Sequence, residues 1–341
     1  MFLADASVRG VEAGGNAPAA SGIVSLVRTA ARRLEVINAS EGVQVLILEA
    51  AVWTLGWTVL FYVLAWTSPR WMKSFPESTK SYENDRYWLA RQTIGILHAL
   101  LICILSVPGL AVLIVAPENA WFAYSVLSAD ETELVQCKID GDYAVWYWYV
   151  ALSGLAFTTF TLSDVVVSLI HRRSIDPDVS LFVHHAAFIF SGLIIRANCM
   201  MPFNASILMS MEVSTPFLNY LFLVRHRGPD YKLSTMICGS MFFLTYIIFR
   251  LIINTYGTIV MWMHSMPALL GHSSRDEVVP PAVPSWQIWF LLAAVTAGSV
   301  VQFFWFPNIW TMFMKNYRAA FGNGKTSTND DYEKLPVDNG H

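Results

Sequence analysis

Seven long runs of apolar residues, separated by short polar segments, make up most of the chain. They cover about residues 43–66, 92–115, 146–170, 180–200, 204–225, 236–262 and 286–306. Each run holds roughly the 20 apolar residues that an α-helix needs to cross about 30 Å of hydrocarbon. Unsatisfied backbone amides are costly in lipid, and the chain lacks the alternating segments of a membrane β-barrel. We therefore predict an all-α, polytopic transmembrane helical bundle with about seven spans.

The polar segments divide the chain into four parts. Residues 1–42 form an N-terminal tail, in which apolar and basic residues alternate over 23–37, as is typical of a helix lying on a membrane surface. Residues 43–84 contain the first span and the loop after it, and residues 85–315 contain the other six spans. Residues 316–341 are polar, and we expect them to form a disordered C-terminal tail.

The amino-acid composition is also typical of a membrane protein, and it disfavours two classes of function. The chain of 341 residues is 55% hydrophobic and 14% charged, whereas a soluble chain carries about 25% charged residues. Its mean hydropathy is +0.46 and its net charge is −3. The lysines and arginines are scattered rather than gathered into one stripe. A soluble enzyme is therefore disfavoured, and nucleic acid is not an expected partner.

The four cysteines show no spacing typical of a metal site, so we expect neither a metal ion nor a bound cofactor. Cys137, in an acidic loop, and Cys199, at the end of the fourth span, fall on one side of the membrane and are candidates for a disulfide. Cys103 and Cys238 cannot reach that side.

Basic residues near the ends of the spans alternate between the two sides of the membrane. Fourteen lie on one side and two on the other, which places the C-terminus in the cytoplasm. An odd number of spans puts the N-terminus on the opposite side, but Arg28, Arg32 and Arg33 argue against that, so its side is left open. Glycosylation sequons at Asn38 and Asn204 both lie close to a span, and their use is also left open.

Ionisable side chains inside the spans are candidates for function, because each costs at least about 2.5 kcal/mol at a helix centre. They are His98, Asp164, His184, His185, Arg196, Glu212 and Arg250. At 1.5 Å per residue, Asp164, His184, His185 and Asn219 share a layer roughly 6 to 9 Å below the cytoplasmic boundary. Glu212 and Arg250 fall near the midplane at matching heights, and we predict that they form an ion pair. His98 alone is assigned to packing.

The shallow layer has the composition of an acyl-transfer site. An imidazole takes up a proton near neutral pH, and Asp164 could fix its tautomer. Adjacent helix residues diverge by about 100°, so we expect one histidine of the pair to react while the other binds or positions. His184 shares a face with Ser191, and His185 shares one with Arg196. The alternative is that these residues only hydrogen-bond one helix to another.

The fifth span contains a proline beside a buried acid. Pro216 lacks an amide hydrogen, leaves the carbonyl of Glu212 without its usual donor and bends the helix there. Glu212 and Asn219 are seven residues apart and share a face. We therefore expect both side chains to line a cavity.

Three of these features together resemble a known membrane domain. Asp164 near the end of the third span, Val183-His184-His185 in the fourth and the stretch from Met211 to Asn219 in the fifth are similar to the TLC domain. This domain is shared by ceramide synthases, TRAM and CLN-type membrane proteins, and the resemblance covers about residues 85–315. The Glu-x-Ser-Thr-Pro-Phe sequence that begins at Glu212 is most similar to the TLC-domain-containing subfamily.

The resemblance implies a helical bundle in the endoplasmic reticulum or a related membrane, with a lipid-accessible cavity and a role in sphingolipid or phospholipid homeostasis. In the ceramide synthases the histidine pair belongs to the active site that acylates a sphingoid base from acyl-CoA, and His184 and His185 match that pair. Their motif then continues into polar and acidic positions, whereas residues 186–195 here are almost wholly apolar. Whether this chain is an acyl-CoA-dependent N-acyltransferase is therefore left open.

If the protein is an enzyme, acyl-CoA is a co-substrate that would approach the basic cytoplasmic loops. The arginines concerned are Arg172, Arg173, Arg225 and Arg227. The first alternative is a lipid-binding or lipid-sensing protein without catalysis. The second is a proton-coupled transporter that uses Glu212 and Arg250, which is less favoured because the two halves of the chain show no internal repeat. Membrane lipids are the expected partners in each case, and self-association is left open.

Overall fold

The computed structural model describes residues 39–115, 144–175, 179–198, 202–269 and 284–321. Within these ranges the regular elements are all helical and no strand is formed, so the predicted all-α class is confirmed. The main helices are α1 (Ala39–Trp71), α2 (Arg86–Val115), α3 (Ala144–Ile170), α4 (Val179–Asn198), α5 (Pro202–Ser210), α6 (Thr215–Val224), α7 (Lys232–Thr245), α8 (Asn254–Leu269) and α9 (Ser285–Phe321). Short 3₁₀ turns cover Met72–Ser74, Ser81–Asn84 and Pro229–Tyr231.

Six stretches of the described helices are long and apolar enough to cross a membrane. They are Ile47–Trp71, Arg86–Ala111, Tyr149–Ile170, Ala205–Val224, Pro229–Met263 and Ser285–Lys315. The fourth predicted span corresponds to α4, which carries a shorter apolar stretch, Leu181–Ile195. Large apolar side chains cover the outside of the bundle, and Phe304 is 74% exposed. Such a surface suits lipid rather than water, and the arrangement agrees with about seven spans.

The fifth span is interrupted where the sequence places its proline. Helices α5 and α6 are joined by a 3₁₀ segment, Met211–Ser214. The carbonyl of Glu212 accepts a hydrogen bond from the amide of Thr215, and the Ser214 hydroxyl donates to the carbonyl of Met211 at 3.0 Å. The backbone group that Pro216 leaves free is therefore satisfied by the tighter turn, and the predicted irregularity at Glu212 is present.

The sixth span is interrupted by a π-helical segment, Tyr246–Ile253, between α7 and α8. Such segments are rare and often occur at functional sites. Hydrogen bonds to α9 hold both of its ends, because the Tyr246 hydroxyl donates to the carbonyl of Gln302 at 2.6 Å and the Asn254 amide donates to the Ser299 hydroxyl at 2.9 Å. The segment is therefore a fixed feature of the bundle.

Helix α2 lies at the centre of the bundle, between α1, α3, α5 and α6. One apolar core joins α1, α2 and α3 through residues such as Phe61, Ile102 and Ala156. At Gly95 the α2 backbone approaches α6 so closely that an added Cβ would lie 2.5 Å from Asn219 Nδ2. This packing brings the polar face of α6 against α2, where the functional side chains are found.

Candidate functional site

The Asp164 side chain is held by an arginine from the neighbouring helix. It lies near the end of α3 with its carboxylate 8% exposed, and Arg91 on α2 donates from Nε to Oδ1 at 3.0 Å and from Nη2 to Oδ2 at 3.1 Å. This forked geometry is the strongest that an arginine and a carboxylate can form. Sequence reasoning counted Arg91 among the loop charges and missed this role. It fixes the position of the Asp164 carboxylate inside the membrane.

His185, on α4, lies beside the same carboxylate. Its Nδ1 is 3.6 Å from Asp164 Oδ2, beyond hydrogen-bonding distance but close enough for a strong electrostatic interaction. This nitrogen is buried and has no hydrogen-bond partner among the described residues. The structure therefore brings Asp164 and His185 together. A small shift of the imidazole would bring its Nδ1 within hydrogen-bonding distance of Asp164 Oδ2.

His184 points in a different direction from His185. The two ring centroids are 5.9 Å apart, and the His184 ring packs edge-on against Phe188 at 4.5 Å. His185 and Arg250 lie within electrostatic range of His184. The pair thus diverges as consecutive helix positions require, with one ring toward Asp164 and the other within electrostatic range of Arg250.

His98 belongs to the same group of side chains. Its ring is 3% exposed, stacks on Phe160 with centroids 3.8 Å apart, and lies within electrostatic range of Asp164 and His185. Its Nε2 has no hydrogen-bond partner in the part of the chain that the structure describes. The predicted packing role of His98 explains why its ring stacks on Phe160. It does not explain why Nε2 is buried without a hydrogen-bond partner among the described residues.

Three residues at this site lie on one face of α2. Arg91, Gly95 and His98 are spaced four and three residues apart, so they form a stripe along one side of the helix. Asn219 on α6 packs against the middle of that stripe at Gly95. The spacing of Arg91, Gly95 and His98 is therefore the feature of the sequence from which the part of α2 in this site could have been predicted. We call the group Arg91, His98, Asp164, His184 and His185 the histidine site.

The predicted ion pair between Glu212 and Arg250 is wrong. Arg250 Nε donates to the Ser214 hydroxyl at 2.7 Å and Nη2 donates to the Thr215 hydroxyl at 3.0 Å. No ion pair joins Glu212 to Arg250 within the described ranges. The 3₁₀ and π segments alter which side chains face each other, so a matching depth did not produce a contact.

Several other predicted site residues have no described contact with the histidine site. Ser191 is buried on α4, and Arg172 and Arg173 are exposed in the short helical turn Arg172–Ile175 after α3. The side chain of Arg196 lies outside the described part of the structure, as do both candidate disulfide residues, Cys137 and Cys199. Cys103 and Cys238 are free thiols.

Arg227, which we expected to face acyl-CoA, is instead buried. Its guanidinium donates to the carbonyls of Leu223 at 2.6 Å, Pro76 at 2.8 Å and Glu83 at 3.0 Å, and to Asn84 Oδ1 at 3.4 Å. These bonds tie the loop after α1 to the end of α6. Four of the five N–H donors are used and the residue is 2% exposed, so its role is structural.

The same loops bury a carboxylate that sequence reasoning did not single out. Glu83 is fully buried and accepts hydrogen bonds from the Ser78 hydroxyl at 2.6 Å and from His226 Nδ1 at 2.8 Å, while Arg225 Nη2 lies 3.5 Å away. Burial alone would raise the pKa of Glu83, but these hydrogen bonds and the charges of His226 and Arg225 outweigh burial and lower it. We call Ser78, Glu83, Asn84, Arg225, His226 and Arg227 the loop cluster.

Within the described ranges, no three His, Cys, Asp or Glu side chains are placed together to hold a metal ion. Both Asp164 oxygens already accept hydrogen bonds from Arg91. The imidazole, carboxylate and guanidinium groups of the histidine site are suited to proton transfer, nucleophilic attack and recognition of a polar group.

Long apolar helices that enclose a buried cluster of histidines and one acid define a multi-pass integral membrane protein with an intramembrane polar site. A comparison with protein families matches residues 89–311 to the TLC domain, which is well over half of the chain. The chain belongs to the TLC family. No curated protein and no solved structure matches it.

Proposed function

We propose that this protein acts on membrane lipid composition by transferring an acyl group from acyl-CoA to the amine of a membrane lipid. The observation that carries the proposal is the position of His185, whose Nδ1 lies 3.6 Å from Asp164 while Arg91 holds that acid on its other side. A base oriented by a fixed carboxylate is the arrangement that acyl-transfer sites use. Membership of the TLC family, which is linked to lipid metabolism, supports the same conclusion.

The geometry assigns separate roles to the side chains. Asp164, fixed by Arg91, would accept the Nδ1 proton of His185 in a hydrogen bond and so leave Nε2 free as the base. That nitrogen would take the proton from the acceptor amine as the amine attacks the thioester carbonyl. The new bond joins nitrogen to the acyl carbon, the carbon–sulfur bond breaks, and coenzyme A leaves as the thiolate, which takes the proton back from His185 Nε2.

Exposed arginines at one end of the bundle are the proposed binding site for the phosphates of acyl-CoA. Arg172 and Arg173 are exposed within three turns of Asp164, on the end of the bundle that also carries the loop cluster. With Arg227 buried and Arg225 beside Glu83, these two arginines are the best candidates to bind the coenzyme A phosphates. We propose that this end faces the cytoplasm and that the membrane is the endoplasmic reticulum.

An apolar groove beside the histidine pair suits a hydrocarbon chain. It has a volume of about 400 Å³, lies between α4 and α9, and is lined by Ala186, Ala187, Phe190 and the facing residues Phe290, Ala293, Ala294 and Ala297. Ala186 and Ala187 directly follow His185 along α4. A lipid with its chain in this groove would therefore bring its polar end near the imidazoles.

A transfer assay tests the proposal directly. Purified full-length protein is incubated with labelled palmitoyl-CoA and a panel of long-chain amine acceptors, and labelled amide is measured. We expect product with at least one acceptor and a loss of at least about 100-fold in His185→Ala. His171→Ala is the matched control, because His171 lies outside the histidine site and hydrogen-bonds to the Tyr62 hydroxyl at 3.1 Å. Equal activity of His185→Ala and wild type would contradict the assigned role.

A lipid-binding or lipid-sensing function without catalysis is the second candidate. The observation in its favour is that both Asp164 oxygens are already occupied by Arg91 and that His185 Nδ1 makes no hydrogen bond to the acid among the described residues. Retained lipid binding in the wild type, with no amide formed from any acceptor, would favour this function over transfer.

A further inference from the structure

Arg250 carries a positive charge inside the sixth span, far from either end of that helix. It lies in the π-helical segment Tyr246–Ile253, within the membrane-spanning stretch Pro229–Met263. A charged side chain at such a position costs at least about 2.5 kcal/mol unless the surroundings compensate for it. The groups that surround Arg250 therefore decide what it does.

The described partners of Arg250 orient its side chain but do not neutralise it. Ser214 accepts from Nε at 2.7 Å, Thr215 accepts from Nη2 at 3.0 Å, and the centre of the Tyr246 ring lies 5.9 Å from the guanidinium carbon; all three groups are uncharged. No carboxylate of the described residues lies within ion-pair distance. Arg91, by contrast, has both oxygens of Asp164 as partners. An intramembrane guanidinium that is held in place but not neutralised is set up to bind an anion.

The guanidinium is fixed with part of its donor fork unused. Guanidinium offers five N–H donors, and the two hydroxyls use one on Nε and one on Nη2. Nη1 makes no hydrogen bond to any described residue. Ser214 is itself fully buried and lies in the 3₁₀ segment of the fifth span, so two irregular helix segments meet at this contact. Such a fork matches the oxygens of a carboxylate or phosphate.

Arg250 also connects to the histidine site. His184, the member of the pair that turns away from Asp164, has Arg250 among its charged neighbours. An anion bound at Arg250 would lie near the imidazole of His184, while His185 remains beside Asp164. This placement separates a recognition side of the pair from a reactive side.

We infer that Arg250, positioned by Ser214 and Thr215, is the binding group for the acidic head of a lipid within the bundle. The ligand is an amphiphile whose head is a carboxylate or a phosphate, either a long-chain fatty acid or an acidic phospholipid. The inference goes beyond acyl transfer and does not depend on it, because binding requires neither acyl-CoA nor a reactive histidine.

Equilibrium binding to purified full-length protein in non-ionic detergent tests the inference. Labelled palmitate is the anionic probe, and hexadecanol is its uncharged counterpart. We expect wild type to bind palmitate at least about tenfold more tightly than hexadecanol, which is a difference of about 1.4 kcal/mol. Arg250→Gln should remove that preference by weakening palmitate alone, Arg250→Lys should keep part of it, and Arg70→Gln, at an exposed arginine, should leave it unchanged.

Competition identifies the source of the anion. Displacement of palmitate by phosphatidic acid but not by phosphatidylcholine means that acidic phospholipids also fit, whereas failure of both to displace it restricts the ligand to fatty acids. Equal binding of palmitate and hexadecanol by the wild type would overturn the inference, even if Arg250→Gln fails to fold. An unchanged preference in folded Arg250→Gln would also overturn it. Palmitate binding is measured without acyl-CoA and without an acceptor amine, so a failure of the proposed enzyme activity is recognised separately.

Discussion

The loop cluster and the histidine site both bury charged groups, but they differ in how completely those groups are satisfied. In the loop cluster, the Arg227 guanidinium donates four hydrogen bonds and both oxygens of the Glu83 carboxylate accept hydrogen bonds, while Arg225 Nε is buried without a partner among the described residues. In the histidine site, the ring nitrogens His98 Nε2 and His185 Nδ1 are buried without a partner among the described residues.

This difference separates a structural role from a functional one. A buried polar atom without a partner costs about 1–3 kcal/mol, so a fold tolerates it where a ligand or reactant completes it. A network whose charged groups are mostly paired with one another, such as Glu83 with His226 and Arg225, instead stabilises one arrangement of the chain. We therefore propose that the loop cluster serves stability and that the histidine site meets the substrate.

The largest expected effect comes from breaking the Arg91–Asp164 pair. Arg91→Leu should destabilise the protein by about 3–5 kcal/mol, because it leaves a buried carboxylate without its partner. The double variant Arg91→Leu/Asp164→Leu should recover most of that stability, since an apolar pair needs no neutralisation, but should remain inactive. Unfolding in detergent and the transfer assay measure the two properties. A stable, folded Arg91→Leu single variant would show that the pair does not hold the acid.

A smaller loss of stability is expected in the loop cluster. Arg227→Met removes hydrogen bonds to Pro76, Glu83 and Leu223 and should cost about 2–3 kcal/mol. Arg172→Met is the matched control at an exposed arginine and should change stability by less than about 0.5 kcal/mol. Palmitate binding by the Arg227 variant, measured below its unfolding temperature, should stay normal. Loss of binding with intact folding would contradict the division of roles.

The pH dependence of stability should separate Glu83 from the intramembrane groups. The pKa of Glu83 is lower in the folded protein than its ordinary value of 4.5. Its carboxylate therefore stabilises the fold above that pH, and the contribution is lost as the pH falls through the folded pKa. Thermal unfolding of wild type should weaken more steeply in acid than that of Glu83→Gln. Parallel curves for the two proteins would rule out this role for the carboxylate.

The smallest expected effect on stability, with a larger one on function, comes from Gly95→Ala. The new Cβ would lie 2.5 Å from Asn219 Nδ2, so the Asn219 side chain must move away from the site. We expect a stability cost of about 1 kcal/mol but a clear loss of transfer or lipid binding. Gly154→Ala is the control, because its Cβ would meet nothing within 4 Å. Equal function of the two variants would mean that Asn219 does not contribute.

The sequence predicted the helices, because long apolar runs depend on local composition. The break in the fifth span was predicted from Pro216, since the missing amide has a local consequence. The partner of Asp164 was missed, because Arg91 reaches it from another helix and a hydropathy count places it near a span end. The proposed partner of Arg250 was wrong for a related reason.

Depth along a helix follows from counting residues, but the direction of a side chain around the axis depends on helix rotation and regularity. The π segment around Arg250 and the 3₁₀ segment around Ser214 change that direction locally. No periodic pattern in the sequence encodes the change. Contacts between irregular segments therefore could not be predicted from the sequence. The contact of Arg250 with Ser214 is the clearest instance.

Photocrosslinking tests the central claim, that the unsatisfied polar groups form the lipid site, most directly. The probe is palmitate with a diazirine in its chain, applied to the full-length protein and followed by peptide mapping. Adducts should appear on α4 near His184 and His185 and on the peptide that contains Ser214, and excess unlabelled palmitate should remove them. Adducts confined to outward-facing residues such as Ile104 and Phe304, unaffected by competitor, would contradict the account.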